Sequence, residues 1–144
     1  MTDDYNLERF LTAQKADYLT ALSEVQAGHK RSHWMWYIFP QVRGLGFSDA
    51  SNFYGISDIQ EAEAYLKHRV LGPRLILIAA ELLNLEVSDP YVVFGSPDER
   101  KLQSSMTLFS EIPQTNPVFA KVLDKFFGGR KDNRTLKILT RTGL

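Results

Sequence analysis

The chain has 144 residues, 44% of them hydrophobic, and its 17 basic and 17 acidic side chains cancel. That length suits one domain, residues 1–144, which buries roughly two thirds of its unfolded surface and needs no disulfide or metal. The missing basic excess excludes general nucleic-acid binding through phosphates, and the absence of cysteine excludes thiol catalysis and cysteine-based zinc sites.

A first helix is expected over Leu7 to Val25, where Leu7, Phe10, Leu11, Gln14, Tyr18, Ala21, Leu22 and Val25 form one apolar stripe. Asn6 is its expected N-cap and Gly28 its stop. The run His33 to Pro40 is too short for periodicity to separate helix from strand, and Pro40 ends any helix near Phe39. Gln41 to Phe47, with Gly44 and Gly46, reads as a loop, and Ser48 caps a short helix carrying Phe53 and Tyr54. Ser57 with Gln60 forms a capping-box pattern ahead of Ile59, Ala62, Tyr65 and Leu66. Leu71-Gly72-Pro73 breaks that helix, with Pro73 at a first helical position. Leu75 to Leu85 reads as an enclosed helix, with a buried strand over Leu75 to Ile78 as the competing assignment.

Asp89-Pro90, Ser96-Pro97 and Asn116-Pro117 are three further cap-then-proline starts. Leu102, Met106, Phe109 and Ile112 follow the second, and Val118, Phe119, Val122, Leu123, Phe126 and Phe127 follow the third until Gly128-Gly129. A last helix over Asn133 to Thr140 docks through Leu136 and Leu139, with Asp132 and Asn133 as caps. No clean alternating strand appears, and the Asn-Gly and Asp-Gly hairpin pairs are absent. The expected fold is therefore mainly α, a compact multihelical domain of about six to eight helices with short strands at most.

The acidic start Met1-Thr2-Asp3-Asp4-Tyr5 is unlike a secretory signal. The longest apolar-rich run, Leu75 to Leu85, falls far short of the roughly 20 residues that span a bilayer. The expectation is a cytoplasmic protein with no membrane association. The C-terminal stretch is locally basic (Arg130, Lys131, Arg134, Lys137, Arg141). It reads as a solvated end, because Asp132 interrupts it and no aromatic residue follows to stack on bases.

The run His33-Trp34-Met35-Trp36-Tyr37-Ile38-Phe39-Pro40-Gln41, then Gly44-Leu45-Gly46 and Ser48, resembles the hallmark of the bacterial domain of unknown function 1810. Glu61-Ala62 with Tyr65-Leu66, Leu71-Gly72-Pro73-Arg74-Leu75, Phe94-Gly95 with Asp98, and Lys101-Leu102 with Ser104 to Phe109 extend the likeness. Phe126 to Gly129, Asp132 and Thr135-Leu136 complete it over almost the whole chain. The resemblance implies a single, mainly helical domain and carries over no catalytic residue. Some members bear a calpastatin label. One departure is Arg69 after His68, where relatives often have proline. The order of the aromatic block, the Glu61-Ala62-Tyr65 helix and the lysine-serine helix is also similar to helical proteins that process N-glycosidic, ADP-ribose-related metabolites.

Several side chains carry a functional and a structural reading. Trp34 and Trp36 either stack on a planar ligand or pack in the core, and at most one lines a site, since their two-residue spacing points them apart. The loop with Arg43, Gly44, Gly46 and Ser48 either grips an anion through its guanidinium and backbone amides or is a tight turn. His29 and His33 lack a carboxylate nearby and sit beside Lys30 and Arg31, so no metal site is expected there. His33 alone is a candidate acid or base, or a hydrogen-bonded structural histidine. Glu61 shares a helical face with Tyr65 and is either a general base or an acid complementing the helix dipole. Lys101, with Ser104 and Ser105 on its face, is a candidate anion ligand.

The expected site joins Trp34 or Trp36, Gln41, Arg43, Gly44, Gly46, Glu61, Tyr65 and Lys101 around a small anionic ligand, nucleotide-like (ADP-ribose or NAD-related) or a sugar phosphate. No resident cofactor is expected. The alternative is a non-catalytic protein-interaction module that presents the aromatic block as an exposed patch.

Overall fold

The computed structural model describes residues 5–141, so the acidic start at residues 1–4 lies outside the described residues. Nine helices occur among them: α1 (Glu8–Gln26), α2 (Met35–Ile38), α3 (Asp49–Tyr54), α4 (Ile59–Lys67), α5 (Leu71–Leu83), α6 (Pro90–Phe94), α7 (Asp98–Ser110), α8 (Val118–Phe127) and α9 (Asn133–Arg141). The count exceeds the expected six to eight because the run His33 to Pro40, undecided between helix and strand from sequence, supplies the single-turn α2. No strand forms among the described residues. One parallel bridge, Val42 to Ile56, ties the loop after α2 to the segment after α3.

The core grows around α5, α7 and α8, with α1 and α4 packed on α5 and α9 on α7. Leu102 and every residue from Ser104 to Phe109 are buried, so α7 is enclosed over its middle turns. A chain of rings crosses the interior. Phe10 of α1 meets Tyr65 of α4 edge-on at 5.0 Å, Tyr65 lies 5.5 Å from Phe109 of α7, and Phe109 lies 5.6 Å from Phe119 of α8. Four helices are thus pinned through offset and edge contacts, the geometry aromatic quadrupoles favour.

The helix starts differ from the sequence expectation by a residue or two. The first position before α1 is Leu7, without a side-chain cap, and Asn6 instead takes a positive φ of 54°. Asp58, not Ser57, caps α4, its carboxylate accepting from the Glu61 amide at 2.9 Å. The reciprocal bond comes from Ser57, whose amide and hydroxyl both donate to Glu61 Oε1 at 2.9 Å. The cap therefore falls one residue later than expected, and Glu61 reaches back past it to Ser57, a variant of the capping box.

Helix α5 begins at Leu71, which puts Pro73 third in its first turn, where a missing N–H still costs nothing. His68 Nδ1 accepts from the amides of Val70 and Leu71 just ahead of it. The strand assignment over Leu75 to Ile78 is overturned, and α5 is not fully enclosed, since Leu77 is exposed. Ser96 does not cap α7. Its hydroxyl donates to Glu99 instead, and Pro97 stands at the cap position. Helix α9 docks through Thr135 and Leu139, while Leu136 is only half-buried.

Candidate functional site

One hollow of about 350 Å³ opens where the segment after α2 meets the first turns of α7 and α9. Trp36 on α2 forms part of its wall, with Gln41, Leu45 and Gly46 from the following loop. Tyr54 and Gly55 contribute from the end of α3, Arg100, Lys101 and Ser104 from α7, and Asp132 and Arg134 from the start of α9.

The wall next to Trp36 is anchored by Trp34. Trp34 is buried, its indole N–H donating to Glu24 Oε1 at 2.9 Å. Because α2 is a single turn, fixing Trp34 inward turns Trp36 the other way, towards the hollow. Glu24 also accepts from the amides of Arg31 and Ser32 and from the Ser32 hydroxyl. Burial pushes its carboxyl up, but these hydrogen bonds prevail and hold it down at about 2. The loop beyond α2 is held by two backbone bonds, Ile56 N to Gln41 O at 2.9 Å and Arg43 N to Ile56 O at 2.7 Å. Gly55 is required there by close approach: a Cβ would stand 2.8 Å from Arg43 Cβ and from Ser51 O.

Lys101 is the most constrained cation of the lining. Its ammonium sits 4.0 Å from the Trp36 ring centroid and 3.1 Å from Asp98 Oδ1. The other Asp98 oxygen takes Lys30 at 2.8 Å, and Lys30 in turn lies over Trp34. Burial pushes the Asp98 carboxyl up, yet the two lysines together keep it below the usual aspartate range. One carboxylate thus serves two ammonium groups, of which only Lys101 lines the hollow. Arg100 is exposed, and Arg134 donates to Leu45 O at 3.0 Å. The single acid of the lining, Asp132, accepts from Ser104 Oγ at 3.2 Å and from Thr135 N at 3.0 Å. The Gln41 side-chain amide makes no hydrogen bond among the described residues.

Of the residues singled out from sequence, Trp36, Gln41, Gly46, Lys101 and Ser104 line the hollow together. The other candidate site residues do not. Glu61 is buried and its Oε2 holds Arg9 at 2.7 Å. Arg9 also donates to Gly55 O and Phe53 O, so this buried pair braces the end of α3 from behind the hollow. Tyr65 is enclosed, its hydroxyl accepting from Gln14 at 3.0 Å, and burial raises its pKa. Arg43 is turned to Asn52 O and Gly55 O, which leaves it locking the loop. Gly44 is exposed at φ 107°. Ser48 caps α3 by accepting from Ser51 N at 3.1 Å, so its hydroxyl is spent on the helix's own first turn. His33 is exposed and only its carbonyl is engaged, by Tyr37. Ser105 is fully buried and its hydroxyl has no partner, whereas Ser104 is the serine that lines the hollow.

Tyr54, Arg100, Asp132 and Arg134 were not anticipated in the site. Only the basic character of Arg134 was visible in the sequence, and nothing local says that the start of α9 returns beside α2. Among the described residues no group of three His, Asp or Glu side chains gathers to hold a metal.

A family model described as "Protein of unknown function (DUF1810)" matches residues 4–139. The chain belongs to this family. A solved structure similar to it is the conserved hypothetical protein Rv1873 from Mycobacterium tuberculosis. That protein is 44% identical, with a TM-score of 0.94 over 96% of this chain and 99% of the other. No functionally curated protein matches the DUF1810 chain described here. The DUF1810 fold is thus shared at high similarity. No helix among the described residues is long and apolar enough to cross a membrane.

Proposed function

We propose that this protein binds a small anionic metabolite with a planar or sugar head, nucleotide-like or a sugar phosphate, in the hollow beside Trp36. The observation that carries this reading is the lining itself: Arg100, Lys101 and Arg134 against one acid, next to an indole face and an unused Gln41 amide. Cations placed beside an aromatic wall suit a phosphate at one end and a flat group at the other. The hollow, about 350 Å³, lies at the small end of ligand pockets and suits a ligand with one phosphate better than a dinucleotide.

Binding is favoured over catalysis. A general base must reach the proton it removes, but Glu61 is committed to Arg9 and Ser57, and Asp132 to Ser104 and Thr135. The alternative reading, an interaction module built on the aromatic block, has little surface to use, since Trp34, Met35 and Phe39 are buried.

A thermal-shift screen against nucleoside monophosphates, sugar phosphates, NAD and ADP-ribose tests the reading. Ligand at a hundred times its Kd stabilises by about 2.7 kcal/mol, and Lys101→Met is expected to abolish the shift. No stabilisation by any of these at millimolar concentration contradicts it.

A further inference from the structure

Two features of the sequence favour a solvated C-terminal end: Asp132 interrupts the basic run, and no aromatic residue follows it. The fold alters both. Asp132 is held at the start of α9 by Thr135 and Ser104, so it stands off the outer face of the helix. The aromatic side chains come from elsewhere in the chain, because the hollow with Trp36 and Tyr54 opens at that same helix start.

Arg134, Lys137 and Arg141 are spaced three and four apart and all exposed, which sets them in one stripe along α9, opposite its buried Thr135 and Leu139. Helix α9 contains no acid. Arg134 lines the hollow, while Lys137 and Arg141 line a shallow, open groove farther along the same helix with Leu136 and Thr140. The chain is neutral as a whole, yet Arg130 to Arg141 holds five basic side chains against one acid. Of these five, Lys131 is paired with Glu111 at 2.7 Å, which leaves the stripe on α9 as the positive edge. The stripe extends about 10 Å along the helix axis, enough for long side chains to reach two further phosphates.

We propose that the occupant of the hollow is the terminal nucleotide of a single-stranded oligonucleotide, whose next phosphates follow the α9 stripe through Lys137 and Arg141. This rests on the reading of the hollow as a small-anion site and names the larger molecule to which the anion belongs. The Trp36 and Tyr54 rings, with Lys101 over the former, and the unused Gln41 amide suit a base, and a cationic track suits the backbone, the combination by which single strands are held. A lone mononucleotide leaves Lys137 and Arg141 without a role. Binding of this kind engages one strand end, which is compatible with a neutral chain.

The test is calorimetric titration of the full chain with a 5′-mononucleotide, a hexanucleotide of the same base, and an inorganic polyphosphate of similar length, at several salt concentrations. The hexanucleotide is expected to bind about tenfold more tightly than the mononucleotide at low salt. Two added phosphate contacts are expected to steepen its log K against log salt slope by about 1.4. Lys137→Glu with Arg141→Glu, both exposed, is expected to remove that gain and leave mononucleotide affinity unchanged. Equal affinity for the two, a gain that survives the double variant, or polyphosphate matching the hexanucleotide overturns the proposal while the small-anion reading stands. Binding of neither nucleotide overturns this proposal, and the small-anion reading falls with it when the sugar phosphates of the thermal-shift screen fail as well.

Discussion

The Arg9 and Glu61 pair shows how a charged side chain in a promising place is absorbed by architecture. Both are buried, 2.7 Å apart, and every polar atom of Glu61 is used: Oε2 by Arg9 and Oε1 by Ser57. Removing one partner of such a pair strands the other in low dielectric at a cost of about 3–5 kcal/mol. Arg9→Met is therefore expected to lose stability on that scale in urea unfolding, and Lys101→Met to lose little. Glu24 gives a pH prediction. Its folded pKa of about 2 lies below the ordinary 4.5, so its contribution is present above the ordinary value. It is lost as pH falls from there towards the folded value. Glu24→Gln is expected to cost about 2 kcal/mol at neutral pH and to flatten the fall in stability below pH 5, as followed by acid titration of the melting temperature.

Among the elements, α4 and α5 meet closely at a glycine. A Cβ on Gly72 would stand 1.9 Å from Leu66 O, a backbone atom that cannot swing aside. Gly72→Ala is expected to cost at least the roughly 3 kcal/mol at the upper end of overpacking, read as a lowered denaturation midpoint. Long helices with an apolar stripe were legible in the sequence, as α1, α4, α7 and α8 show, because burial of one face leaves a period in the residues. The single-turn α2 carries no such period, whereas the start of α6 was legible from Asp89-Pro90, since Asp89 caps it locally by accepting from the Tyr91 amide. Asp58 displaces Ser57 as the α4 cap because Ser57 is needed to bond Glu61.

Across the whole molecule, the candidate site is assembled from segments far apart in sequence: α2 with its loop, the end of α3, the start of α7 and the start of α9. Residue types could suggest Trp36, Gln41 and Lys101, since each brings distinctive chemistry. Types alone could not separate Trp34 from Trp36, nor Ser104 from Ser105, because each pair differs only in which side of a helix faces the core. Arg134 looked like a solvated end for the same reason: its neighbour in space is Leu45, 89 residues away.

The two tryptophans also make the central claim directly measurable. In a proton–nitrogen correlation spectrum each indole gives its own signal, one buried on Glu24 and one at the wall of the hollow. Titration with a 5′-nucleoside monophosphate is expected to move the Trp36 indole signal and the Gln41 side-chain amide saturably, while the Trp34 signal stays in place. A spectrum in which neither Trp36 nor Gln41 moves, or in which the shifts cluster on a different face, would contradict ligand binding in this hollow.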